Sequence, residues 1–440
     1  MNKKLRTDTA VYARHVLALN DRGDYTIPAH GLYPHQWLWD SCFTAIGLRH
    51  INPKRAIAEL DRLIGAQWSN GMLPNMILHP DVIKSLRLWK SHKAAHSSEN
   101  HSTSAITQPP LLAEAVWRVG EVLNKEKQAH FFRQMLPPLI RHHEWLYRER
   151  DQHGEGLVVL LHPWESGMDN SPPLLKALTL TDSLPLWIKL TDFFQLDLLI
   201  EKVRRDHRWA AEGQRASAID VLKFYSIQRS LRRARYDTKT VLKNPKFAVE
   251  DLGFNAMLIR ANQRLADIAQ TINEPLPPAL VDSFNKTTHA LELLWHSGDK
   301  QYYSRNVVTQ DLIREPSIAT LLPLYAGTVT KTRAAQLVKM LKNDHQYGQA
   351  FPAPSVPLYS ESFVEMRYWQ GPVWVNMNWL IIDGLLRYGY TDEAKALTKT
   401  TLRLVEQSGM REYFDPLTGK GLGAENFSWT AALALDLIAR

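Results

Sequence analysis

At 440 residues, with 45% hydrophobic and 22% charged residues and 14 tryptophans, the sequence has the composition of an ordinary globular protein rich in aromatic side chains, which excludes a disordered chain. A single cysteine, Cys42, excludes an internal disulfide and a cysteine-built metal site. The net charge of +8 is local, with 13 Lys and Arg against 4 acids between Lys202 and Lys246, and it comes without the helix-turn-helix or aromatic signature of a nucleic-acid interface.

The opening stretch, MNKKLRTDTAVYARHVLAL, has basic residues but no unbroken apolar run or small-residue cleavage site, so it reads as a helix over 7–20 and not as a secretory signal. No segment reaches the roughly 18 consecutive apolar residues of a membrane span. A soluble, cytoplasmic protein is the expectation. Apolar residues at i, i+3, i+4 and i+7 predict further helices over 39–49, 53–68, 127–149, 183–203, 249–269, 278–295, 316–326, 331–342, 371–388, 391–407 and 428–439. In PPLLAEAVWRVGEVL the stripe is Leu112, Ala115, Val116, Val119 and Val122, and Pro109 and Pro110 suit the start of a helix. Trp117, Trp145 and Trp187 lie at helical spacing among apolar residues and read as core, whereas RHHEWL at 141–146 reads as a solvated helix face. Only GLVVLLHP at 156–163 and QYYSRN at 301–306 suggest strands, both short. Two stretches interrupt this rhythm: KSHKAAHSSENHSTSAITQ at 90–108, and a basic insertion at about 205–246. With no linker-like change of composition, residues 1–440 are expected to form a single all-α domain.

Three of the helices follow aromatic, polar loops: YPHQWLWDSCFTAIGL, RYWQGPVWVNMNWLIIDGLL and ENFSWTAALALDLI. Such a recurrence suits a closed toroid whose inner helix ends surround one pocket. Phosphate loops, dinucleotide fingerprints, HExxH and GxSxG are all absent, so no cofactor or metal is implied. Carboxylates set in aromatic loops are what the chain offers instead: Asp40, Asp169, Glu412 and Glu425. Sugars present apolar C–H faces and polar rims, and glycoside cleavage needs one protonated and one ionised carboxyl, so this combination points to carbohydrate chemistry. The plainer alternatives are a helix cap at Asp40, ahead of Ser41, and a turn at Asp415, Pro416 and Gly419.

The stretches YPHQWLWDSCFTAIGL, WESGMDNSP, FAVEDLGFNAML, YWQGPVWVNMNWL and REYFDPLTGKGLGAENFSWTAALALDLI, in this order, resemble the mannosylglycerate and glucosylglycerate hydrolases of glycoside hydrolase family 63 and, more distantly, the trehalases. The resemblance runs from about residue 27 to the C-terminus and is weakest over 205–246. It implies an (α/α)6 barrel that hydrolyses an α-glycosidic bond with inversion. Matched residue by residue, Asp169 is the general acid and Glu412 the general base, with Glu425 its rival. Tyr33, Gln36, Trp37, Trp39 and Asp40 would line the sugar subsite. Trp369, Gln370 and Gly371 would close its opposite side, with Trp374 behind them and Trp429 beneath. Gln67 and Gln108 would add amide contacts or merely bond loop backbone. In the loop of the acid, Trp164 would raise the Asp169 pKa, Glu165 would orient the acid or bond the sugar, and Gly167 would allow the turn. The sequence departs from the family where an anionic aglycone would be held: Lys223, Tyr225, Arg229 and Arg235 match no pattern one to one, and Lys90, His92 and His96 offer further positive charge. The expected partner is a small carbohydrate, such as glucosylglycerate or mannosylglycerate, with no nucleic acid and no membrane. A neutral di- or oligosaccharide in the manner of trehalase, or a sugar-binding protein without catalysis, are the alternatives.

Overall fold

The computed structural model describes residues 3–180 and 213–440; the expected helix over 183–203, Trp187 and the start of the basic insertion lie outside these residues. Among the described residues, twelve helices form the frame: α1 (Lys3–Asn20), α2 (Leu38–Leu48), α3 (Pro53–Gly65), α4 (Leu112–Gly120), α5 (Lys125–Arg150), α6 (Leu252–Thr271), α7 (Pro278–Ala290), α8 (Pro323–Ala326), α9 (Lys331–Leu341), α10 (Val375–Arg387), α11 (Thr391–Ser408) and α12 (Ser428–Ala439). Their character alternates. The sequence of α2, LWDSCFTAIGL, is apolar nearly all round, and every residue of it is buried. By contrast α3, PKRAIAELDRLIG, buries only Ala56, Glu59, Leu60 and Leu63.

That difference sorts the helices into two layers. The even-numbered helices form the inner ring: α2 packs on α4, α4 on α6, α6 on α8, α8 on α10, α10 on α12, and α12 closes back on α2. Outside them, α1 lies on α12, α3 on α2 and α4, α5 on α4 and α6, α7 on α6, α9 on α8, and α11 on α10 and α12. This is the (α/α)6 barrel. Glycine permits its tightest seam, because a Cβ at Gly47 of α2 would collide with the backbone of Ala432 in α12.

Strands are vestigial, each two residues long. Gln36–Trp37 pairs with Met76–Ile77, Val159–Leu160 and Arg305–Asn306 flank Val249–Glu250, and Tyr413–Phe414 pairs with Gly421–Leu422, all antiparallel. They tie together the loops that lead into the inner helices. Away from the cavity, arginines and acids of neighbouring inner helices join side by side. Arg118 of α4 bonds Glu114 and Asp383 of α10, Arg260 and Arg264 of α6 reach Glu114, and Arg49, which follows α2, bonds Asp436 of α12. Against the opposing effect of burial, Glu114 is held below the usual carboxylate range by Arg118, Arg260 and Arg264, and Asp436 by its hydrogen bond with His50 and by Arg440 and Arg49.

Two sequence readings are corrected. His142 and His143 do not form a solvated face: both are 1% exposed, with His142 stacked on Trp145 and His143 hydrogen-bonded to Asn262 of α6, because α5 also packs against the inner ring. Burial lowers their pKa values to about 3 and about 4, so they are neutral. Nor does Asp40 cap a helix. The N-cap of α2 is Trp37, and Asp40 sits within the first turn. Asp415 does serve a turn, its Oδ1 accepting from the Leu417 and Thr418 amides. The basic segment docks on the short helix that precedes the other irregular stretch: Gln228 and Arg232 on the helix Ala218–Arg233 donate to the Leu88 carbonyl at the end of the helix Ile83–Trp89.

Candidate active site

Where the inner helices begin, a cavity of about 80 Å³ is walled by Pro28, Tyr33, Trp37, Trp39, Asp40, Gln108, Gly167, Asp169, Tyr368, Glu412, Phe427 and Trp429. Nine of these twelve are residues singled out from the sequence, drawn from loops as far apart as 33–40 and 412–429. Three acids share the wall.

Asp169 follows a 3-10 turn, Pro163–Ser166, and a left-handed Gly167 at φ +74°. A Cβ on Gly167 would lie 2.6 Å from the Trp39 indole, so the turn that aims Asp169 exists only because the ring lies against bare backbone. Gly167→Ala is therefore expected to lower the thermal unfolding midpoint, through roughly 2 kcal/mol of strain and clash, and to cut kcat about tenfold or more by displacing Asp169. Unchanged melting and unchanged kcat would contradict this. Burial pushes the Asp169 carboxyl up to about 7, with Arg215 opposing and Glu412 reinforcing the shift. Half of that carboxyl is thus protonated near neutrality.

Glu412 precedes the strand Tyr413–Phe414 and is 1% exposed. Its Oε1 accepts from Tyr33 Oη at 2.7 Å and Arg215 Nη1 at 3.1 Å; its Oε2 accepts from Arg215 Nη2 at 2.8 Å and the Ala424 amide at 2.9 Å. Asp40, 5% exposed, is raised well above the usual carboxylate range by burial, with Glu412 and Asp169 adding to it. Aromatic rings supply the remaining surface: Trp39 meets Trp429 edge to face at 5.3 Å, and Trp37 meets Tyr33 at 6.1 Å. Among the described residues the indole nitrogens of Trp37 and Trp429 are buried without a partner, which leaves two unused donors on residues of the cavity wall. Gln108 reaches the cavity while its Oε1 accepts from the Trp39 amide.

Several sequence-derived residues stand elsewhere. Gln36 turns away to bond Ser41 and Glu59. Glu165 is fully buried and bonds Arg150 through both oxygens and the amides of Leu161 and Thr107, so it holds the acid's loop and does not face the cavity. Trp164 packs on His162, Phe224 and Tyr225. The apolar wall nearest the acid's loop is Trp39 instead, because the 3-10 turn carries Trp164 beneath the basic segment. Glu425 is 68% exposed and paired with Arg411 at 2.8 Å, which removes it from competition with Glu412. Trp369 and Trp374 stack on each other at 3.8 Å behind the wall. Gln370 bonds the Asn170 carbonyl and Gly371 abuts the Val364 backbone, so this stretch braces the Asp169 loop. Gln67 donates to the Gly71 and Pro138 carbonyls and accepts from Arg141, away from the cavity.

Tyr368 takes the place expected of Trp369. It lines the cavity in a left-handed conformation, φ +41°, rare for an aromatic residue. Arg215 is the other residue that motif reading passed over. Its guanidinium lies over the Tyr33 and Tyr368 rings at 5.5 and 5.0 Å, and the neighbouring Gln214 is pinned by Tyr413 Oη and the Gly423 amide. The basic segment thus does deliver a cation to the acids, at Arg215, which pairs with Glu412 from behind the cavity wall; Lys223, Tyr225, Arg229 and Arg235, with Lys90, His92 and His96, are not among the lining residues either.

Residues 33–430 match a family described as the mannosylglycerate hydrolase MGH1-like glycoside hydrolase domain. The chain is 37% identical over 428 residues to the mannosylglycerate hydrolase of Thermus thermophilus, covering 96% of this chain and 99% of that protein. It is 31% identical over 460 residues to the glucosylglycerate hydrolase of Mycolicibacterium hassiacum, covering 98% and 97%. Among solved structures, the family 63 mannosylglycerate hydrolase of Thermus thermophilus in complex with Tris and D-glycerate superposes with a TM-score of 0.88 at 36% identity, over 98% of this chain and all of that one. The neutral trehalase of Saccharomyces cerevisiae shares the fold, with a TM-score of 0.59 at 16% identity over 94% of this chain and 73% of that one. Among the described residues no helix is long and apolar enough to cross a membrane.

Proposed function

The chain belongs to the MGH1-like mannosylglycerate hydrolase family of glycoside hydrolases, and on that premise we propose that it cleaves the α-glycosidic bond of mannosylglycerate or glucosylglycerate with inversion at the anomeric carbon. Asp169 gives its proton to the bridging oxygen. Glu412 takes a proton from the water that attacks the opposite face of the sugar. Such a pair stands about 6.5–9.5 Å apart to admit the water. Asp40 and the Trp37 and Trp429 indole nitrogens bond sugar hydroxyls, and Trp39 offers its ring to the C–H face. Arg215 pairs with the glycerate carboxylate. Residues 1–440 act as one catalytic unit, and with no disulfide possible the enzyme works in the cytoplasm on a small glycoside.

One observation carries this reading: an acid whose pKa is raised to about 7 shares a cavity wall with a carboxylate gripped by an arginine. A neutral disaccharide would give that arginine no partner. The test is product release from glucosylglycerate, mannosylglycerate, trehalose and a neutral glucosyl disaccharide, with Glu412→Gln protein as the blank. Turnover of one of the two glycerates, lost in the variant, is the expected result. Release from the neutral sugars alone would overturn it.

A further inference from the structure

We propose that Arg215 locks the catalytic base, and that the carboxylate of an anionic aglycone is the key, so that Arg215 decides against neutral α-glycosides; this rests on the hexosylglycerate reading above. A carboxylate accepts through about four lone-pair positions. All four on Glu412 are taken, by Tyr33, by the Ala424 amide and twice by Arg215. In that state no position is left for the attacking water, and one donor has to leave before the base can work.

The donors differ in how firmly they are held. The Ala424 amide sits just beyond the paired strands 413–414 and 421–422, and the Glu412 amide bonds back to the Ala424 carbonyl. Tyr33 is wedged edge to face between Trp37 and Phe427. Arg215 comes from a segment outside the barrel frame, tied to it through the neighbouring Gln214, and among the described residues the Nε of its own side chain has no partner. Space leads to the same donor. The cavity of about 80 Å³ is far below the roughly 300 Å³ at which small-molecule sites begin. Withdrawal of the side chain that backs the lining rings of Tyr33 and Tyr368 would both give those rings room to yield and free the base.

Charge then selects the substrate. Pulling Arg215 off Glu412 leaves two opposite charges unpaired in a buried place, which is strongly unfavourable. A substrate carboxylate replaces the lost partner like for like, a bidentate acceptor for a bidentate acceptor. A neutral glycoside offers no replacement, so the lock stays shut.

The test compares a hexosylglycerate with the matching hexosylglycerol, in which the carboxylate has become CH2OH, for wild type and Arg215→Met. Arg215→Gln is measured in parallel, and thermal unfolding identifies which variants are folded. A folded neutral variant is expected to lose about a hundredfold in kcat/KM on the hexosylglycerate and to gain about tenfold or more over wild type on the hexosylglycerol. If the folded variants lose the charged substrate without gaining on the neutral one, Arg215 only attracts the carboxylate and the lock is overturned. If wild type hydrolyses no hexosylglycerate at all, the substrate reading itself is what fails, and the lock falls with it.

Discussion

Replacing Asp169 by Asn should lower kcat on the hexosylglycerate by about a thousandfold while KM stays within a few-fold, because a positioned general acid contributes roughly 10² to 10⁴ and the amide keeps the size of the side chain. The pH dependence identifies the residue more sharply. With its pKa raised to about 7, the acid is competent below that pH, so wild-type turnover should fall as pH rises through about 7. The residual rate of Asp169→Asn should lack that limb. Stability moves the other way. A buried carboxyl whose folded pKa lies above its unfolded value of about 4 contributes stability that is present below pH 4 and lost as pH rises through 7. Asn carries no such penalty, so at pH 8 the variant should unfold at a higher temperature than wild type. Near-normal turnover in Asp169→Asn would transfer the acid to Asp40, the other wall carboxyl with a raised pKa.

Glu412→Gln should also abolish turnover, by about a thousandfold or more, and here activity and stability fall together. The amide cannot take the proton of the attacking water. It also leaves the Arg215 guanidinium buried without its counter-charge, a loss of about 3 kcal/mol that should appear as a lower unfolding temperature. Glu425→Gln is the internal control. Its exposed pair with Arg411 lies at the surface, where such pairs contribute at most about 1 kcal/mol, so turnover should stay within about twofold of wild type. A turnover loss in Glu425→Gln equal to that in Glu412→Gln would reverse the assignment of the base.

What could be seen in the sequence follows from which signals are local. An inner helix must be apolar all round and an outer one only on a stripe, and both patterns are written within about a dozen residues, so α2, α6, α10 and α12 lie within a few residues of where periodicity puts them. Asp169 and Glu412 stood out because acids beside aromatics are conspicuous wherever the chain later places them. Direction was harder. Trp164 and Glu165 share a short loop with Asp169, yet the turn at 163–166 sends one under the basic segment and the other to Arg150. Gln36 and Trp37 are neighbours of which only the second meets the cavity, since alternate residues of a strand face opposite sides. His142 and His143 looked solvated because helical period shows one apolar face, whereas α5 is packed on more than one. Arg215 was hidden among similar charges: composition marked the segment, but only the docking of Gln214 onto Tyr413 and Gly423 distinguishes this arginine from Lys223 or Arg229.

The arginine network that joins the inner helices has a consequence for traffic. Arg118, Arg260, Arg264 and Arg49 lace neighbouring inner helices together away from the cavity, so traffic is expected at the end where the cavity lies. On the proposed reading the substrate's two halves would enter and leave through that one end in turn. On the proposed reading the sugar would be held among Trp39, Asp40 and Trp429, deeper than the portion that meets Arg215, so glycerate would depart first and the hexose after it. Free glycerate in the surroundings would then refill the doorway and hold the second product in place, so the enzyme would slow as its own aglycone accumulates, without any separate regulatory site.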